Sequence, residues 1–178
     1  MSENDSNIIT LKIKYSTDEQ SKTRILEYIK NYNNVLHFTY NRLHENEDLK
    51  TKEITLLQKT MNNIFVDSYF KCSAIFDSKS LLGKEKVIFG GKKLFIEKCQ
   101  NKISKEEFKI KKLRPIYSVG ESPQKGNRKF SIVTENHIIF KPTREEHFLL
   151  EINPSRNYQK YLIQLSQLSN EKKIPIDF

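Results

Sequence analysis

Residues 129–152 read KFSIVTENHIIFKPTREEHFLLEI, and the way this stretch divides decides the class of fold. Three short apolar runs, KFSIV, HIIFK and HFLLEI, are rich in β-branched and aromatic residues, and TEN and PTREE between them supply turn-forming Asn, Thr and Pro. The spacing predicts three short strands. At the far end of the chain residues 8–15, IITLKIKY, alternate: Ile9, Leu11, Ile13 and Tyr15 point one way, Thr10, Lys12 and Lys14 the other. That period of two marks a half-buried strand.

The intervening sequence is helical in character. STDEQSK offers a helix start, with Ser16 and Glu19, or Thr17 and Gln20, as a capping box. From there to about Asp48, Ile25, Ile29, Tyr32, Leu36, Tyr40 and Leu43 recur at three- to four-residue spacing, the stripe of a long amphipathic helix. A second helical run begins near Thr51 with Ile54, Leu57, Met61 and Ile64/Phe65 on one face, and a third covers roughly Asp67 to Ser80. The texture changes at residues 81–95, LLGKEKVIFGGKKLF, where glycines interrupt and apolar residues alternate with lysine, as expected for strands and turns. A helical patch, SKEEFKIKKLR, with Ser104 and Glu107 as a further capping box, precedes Pro115. After Pro154 a helix runs from Asn157 to about Asn170 with Tyr161, Leu162, Leu165 and Leu168 as its stripe, and KKIPIDF reads as the start of another strand.

The pattern fits an α+β fold in which a small β-barrel or sheet is split by a helical insertion and followed by a C-terminal helix. Residues 1–15 hold the first strand, 16–82 the insertion, 83–153 a basic β-rich segment and 154–178 the last helix and tail. At 178 residues the chain is long enough for one core without metals or disulfides. Cys72 and Cys99, without partners at ligand spacing, read as reduced, buried thiols of a cytoplasmic protein. No apolar run is long enough to cross a bilayer, and the polar, acidic start is unlike a secretory signal.

Charge placement points to the partner. The net charge is +9, and between Lys84 and Phe130 there are 14 Lys and Arg against 5 Asp and Glu, while the rest of the chain balances at 17 against 17. A neutral protein with one concentrated cationic segment is suited to a polyanion, most often nucleic acid. Catalytic patterns are missing: there is no P-loop, dinucleotide fingerprint, HExxH, paired CxxC or Gly-x-Ser-x-Gly, and the acids sit in caps and polar runs rather than in apolar strands. His37, His44, His137 and His147 are scattered and read as structural or solvated. No metal or cofactor is expected.

The basic segment therefore carries the candidate site. In YSVGESPQKGNRKF, residues 117–130, Gly126-Asn127 suits a tight turn, and Lys125, Arg128 and Lys129 flank it. Arg128 suits two-point phosphate contact, whereas the lysines act as point charges. In FKIKKLRP, Lys109, Lys112 and Lys105 share a face at helical spacing, with Lys111 and Arg114 beside them. Tyr117 and Phe130 are either stacking partners for unpaired bases or core aromatics at strand ends.

These residues also carry a resemblance. VIFGGKKLFIEKCQNKISKEEFKIKKLRPIYSVGESPQKGNRKFSI, followed by IIFKP, resembles the amino-terminal half of transposon-encoded TnpB/OrfB-type proteins and type V CRISPR effectors. The resemblance spans about residues 8–170 and implies a wedge-like β-barrel with a recognition-lobe insertion, holding guide RNA and the guide–target duplex. It adds Lys92 and Lys93 of FGGKK, Asn127 of GNRKF and Lys141 of IIFKP to the expected nucleic-acid contacts. Members of that family continue into a RuvC-like nuclease domain, whereas this chain stops at IPIDF, so no catalytic role is carried over to Asp177. The expected partner is guide-like RNA, with DNA as an addition. Two alternatives stay open: one half of a split nuclease whose RuvC-like half is a separate chain, and a regulatory domain for an acidic protein.

Overall fold

The structure, a computed structural model, describes residues 14–61, 66–83, 87–116, 118, 127–154, 158–164 and 167. Two compact units divide the chain, Met1–Asp18 with Gly120–Phe178, and Glu19–Val119. The fold is α+β.

The first unit is an antiparallel sheet of β1 (Tyr15–Ser16), β2 (Phe130–Thr134), β3 (His137–Phe140) and β4 (Phe148–Ile152), in the order β1-β4-β3-β2. The three runs of residues 129–152 are thus strands. Because the side-chain period is two, the register sets Phe130, Phe140 and Phe148 in one row and Ile132, Ile138 and Leu150 in the next. The phenyl rings follow one another at 4.9 Å and 6.2 Å between centroids. Residues 158–164 are helical, and Leu162, fully buried, packs with Ile132, Ile138 and Ile152 to complete this core.

Two expectations are corrected here. The sheet is open: β1 and β2 are its two edges, and β1 meets β4 over only two residue pairs, so the described strands do not close into a barrel. Nor do Ser16 and Thr17 serve as the expected caps: the Ser16 hydroxyl donates to Glu151 Oε2 (3.3 Å) and the Thr17 hydroxyl to the Leu149 carbonyl (3.2 Å), so both are used by β4. Ile9, Leu11 and Ile13 lie outside the described residues, as do Leu165 and Leu168.

The second unit is helical. Helix α1 (Glu19–Glu45) buries Ile25, Tyr32, Leu36, Tyr40 and Leu43 of the predicted stripe and adds Tyr28, Asn33, Val35 and Thr39. Helix α2 (Thr51–Lys59) starts with the Lys50 N–H donating to Glu53 Oε2 (2.7 Å), and α3 (Ser68–Ser80) with the Tyr69 N–H donating to Asp67 Oδ1 (2.8 Å). Leu43, Ile54 and Ile75, one from each helix, form a dry core. Beside it the buried Gln58 amide donates to Thr39 Oγ1 and to the Lys71 carbonyl, a polar pin across the same three helices. Ile64 and Phe65 lie outside the described residues.

Where strands and turns are expected over residues 81–95, the chain from Gly91 on is instead helical, in α4 (Gly91–Cys99), and α5 (Lys105–Lys111) follows, so the helical unit runs well past the glycines that change the sequence texture. Lys, Leu and Glu are good helix formers and outweigh the single β-branched residue, Ile96. The thiols are also corrected: Cys72 and Cys99 are both exposed. Cys72 falls outside the stripe Phe70, Ser73, Ala74, Asp77 by which α3 is buried, and α4 has no buried residue.

Leu162→Ala should lower the stability of the sheet unit by about 2–4 kcal/mol, since its side chain closes the isoleucine core without compensating collapse. A fall in the urea midpoint followed through that unit checks this; an unchanged midpoint would mean that the helix does not hold the sheet.

Candidate nucleic-acid interface

The most basic part of the structure is the hairpin of α4 and α5, and its shape follows from local rules. The end of α4 is a Schellman motif: Asn101 takes the left-handed conformation (φ 54°), the Lys102 N–H donates to the Glu97 carbonyl and the Asn101 N–H to the Lys98 carbonyl. Ser104 then caps α5, its hydroxyl accepting from the Glu107 N–H at 3.0 Å, as its spacing predicts. The Phe108 ring meets two ammonium groups, with Lys98 Nζ 5.1 Å and Lys112 Nζ 5.8 Å from its centroid. Neither helix has a buried residue, so tertiary contacts must hold the hairpin.

Those contacts sit at its two ends. On entry, Phe89 packs on His37 (3.9 Å between centroids) and edge-on to Tyr40 (5.5 Å), while Tyr40 Oη accepts from the Val87 N–H. Gly90, at φ 89°, comes so near α5 that an added Cβ would stand 2.9 Å from Lys112 Cβ and 2.8 Å from Leu94 Cδ2. On exit, the Asn33 side chain accepts from the Arg114 N–H (2.8 Å) and donates to the Arg114 carbonyl (2.9 Å). The Arg114 guanidinium donates to Asp77 Oδ1 (3.1 Å), and Tyr32 Oη donates to the other Asp77 oxygen (3.3 Å). Five helix residues outside the basic segment, Tyr32, Asn33, His37, Tyr40 and Asp77, thus fix its position, and nothing in their sequence spacing announces it.

The predicted contacts fall into two groups. Lys92, Lys93, Lys105 and Lys109 are exposed on the hairpin and, among the described residues, have no ion-pair partner. Lys111 is paired with Glu107 at 2.6 Å, which holds that carboxyl below and that ammonium above its usual range. Lys112 is half-buried over Phe108, and Arg114 is drawn inward by Asp77.

The remaining predicted residues belong to the sheet unit. Asn127 is buried, its Oδ1 accepting from the Lys129 and Phe130 N–H groups, an Asx turn that launches β2. Lys129 is buried too, with its ammonium donating to the Pro142 carbonyl (3.2 Å), and so supports the sheet rather than projecting from it. Arg128 is exposed and Lys141 half-buried; Lys125 and Tyr117 lie outside the described residues. Phe130 stacks on Phe140 and packs on the isoleucine core, which settles it as a core aromatic. Sequence reasoning missed Phe95 and Ile96, both exposed on α4; reading GGKKLFIEKC with a helical period would have found them.

Two outcomes follow from this geometry. Gly90→Ala should cost roughly 1–3 kcal/mol through its positive φ and the crowded Lys112 backbone, and should speed amide exchange across α4 and α5. Unchanged exchange would show that the entry turn does not hold the hairpin. The second outcome concerns His37, whose burial, followed by the charges of Lys112 and Arg114, lowers its imidazole from 6.5 to about 4. Between these values the unfolded chain binds a proton that the folded chain does not, so stability falls as pH drops from about 6.5 to about 4. His37→Leu should flatten that limb of the stability profile, and an unchanged slope would assign it to another group.

Neither a curated protein nor a solved structure matched the sequence. One family model did, over residues 8–177, nearly the whole chain. The chain belongs to the family described as the SSO2105 N-terminal domain.

Proposed function

We propose that the chain is a nucleic-acid-binding module that grips structured, guide-like RNA, or an RNA–DNA duplex, by its backbone, with the α4–α5 hairpin as the principal surface. One observation carries this: Lys92, Lys93, Lys105 and Lys109 stand exposed and without ion-pair partners among the described residues, on a hairpin tied down at both ends. Unpaired like charges gathered on one hairpin repel one another, and a polyanion relieves that repulsion. Lysines are point charges that position a phosphate backbone without reading its bases, and RNA helices are recognised largely by shape.

The order of elements supports the TnpB-like reading. A first strand, a helical insertion, a set of strands and a helix succeed one another as in the amino-terminal wedge and recognition lobe of RNA-guided nucleases of that type. The reading assigns binding to these residues and no bond-breaking step.

Replacing Lys92, Lys93, Lys105 and Lys109 together by Ala should weaken binding to a structured RNA alike for unrelated sequences. The slope of log affinity against log salt should shrink by about 0.7–0.9 for each phosphate that is no longer neutralised. Anisotropy titrations over a salt series measure both. Unchanged affinity and slope would overturn the reading and direct the hairpin to an acidic protein.

A further inference from the structure

Phosphate contact explains the lysines of α4 but not what lies between them. Lys92, Phe95, Ile96 and Cys99 follow one another at i, i+3, i+4 and i+7, so they share one face, and all are exposed. Phe95 is 43% and Ile96 51% accessible. A phenyl ring left in water forgoes the gain of burial, and here it does so on a helix held in place by Gly90 and by the Asn33–Arg114 contacts. The ring also has a fixed electrostatic setting: Lys98 Nζ lies 5.9 Å from its centroid, and Lys92 stands one turn away on the same face.

A partner for this face needs a flat apolar surface and negative charge within a few ångströms of it. A bilayer fits poorly, because a nine-residue helix with two large exposed apolar side chains has too narrow an apolar face to enter an interface. An unpaired nucleotide meets both needs in one unit, a π-face for the ring and a phosphate for the ammonium.

We propose that α4 takes an unpaired nucleobase stacked on Phe95, with Ile96 against its edge and the adjoining phosphates held by Lys92 and Lys93. This deepens the nucleic-acid reading and rests on it. The hairpin then distinguishes strands by state: duplex is held through phosphates alone, and single-stranded segments gain a stack. Phe130, whose ring is occupied by Phe140, has no part in this.

The test uses the full chain with a single-stranded RNA carrying a fluorescent adenine analogue, beside a blunt duplex of matched length. Wild type should quench the analogue. Phe95→Leu keeps apolar bulk without the π-face, so the chain stays folded; it should lose the quench and bind the single strand roughly 5- to 100-fold more weakly. Its duplex affinity and salt slope should be unchanged, and Phe95→Trp should retain the quench. Equal losses on both substrates, or no loss on the single strand, would overturn the inference while leaving the salt-dependent module in place. A wild type without salt-dependent binding to either substrate would overturn both.

Discussion

The amide of Asn33 satisfies both backbone groups of Arg114, and the presentation of the basic hairpin depends on it. Asparagine inside a helix is an indifferent helix former, and buried at 1% exposure it must have partners. It finds them in its own helix, donating to the Ile29 carbonyl, and in the chain leaving α5, where it substitutes for a ladder neighbour. The neighbouring side chains on α1 and α3 act on the same segment: Tyr32 and Arg114 share the two oxygens of Asp77. A segment outside strand and helix thereby has both backbone groups of Arg114 satisfied.

That arrangement answers a physical difficulty. Helices of nine and seven residues with no buried side chains are too short to persist alone, and a hairpin of them rich in lysine repels itself. Phe89 and Gly90 at one end, and Asn33 and Asp77 at the other, supply from outside what the hairpin lacks. His37 belongs to this entry contact as a neutral ring, since burial against Phe89 beside two cations disfavours its charged form. Cations are also sorted by neighbours. Arg114 and Lys129 are used internally and Lys111 is neutralised, whereas Lys92, Lys93, Lys105 and Lys109 stay exposed on the hairpin.

How far each feature could be read in the sequence varied with the range of the interaction behind it. The stripe of α1, the cap at Ser104 and the three strands of residues 129–152 depend on residues a few places apart, and all were legible. The α4 helix was not, because Gly90 and Gly91 beside Val87, Ile88 and Phe89 look like a strand and its turn; the positive φ of Gly90 instead serves an approach to Lys112, remote in sequence. Ser16 and Thr17 looked like caps, but their hydroxyls bind β4, more than a hundred residues on. Phe95 and Phe130 were equivalent on paper, aromatic residues next to lysines, and only packing left one in solvent and stacked the other on Phe140.

The sequence by itself determined the α+β class, the periods of its elements and the concentration of positive charge between Lys84 and Phe130, since these are properties of composition and of local backbone geometry. Tertiary structure alone decided that the sheet is open, that Asn33 and Asp77 hold the basic segment, and which cations and aromatics face water. The reason is the same in each case: burial and pairing are relations between residues far apart in the chain, and the same lysine is a core donor or a surface charge according to what the fold brings beside it.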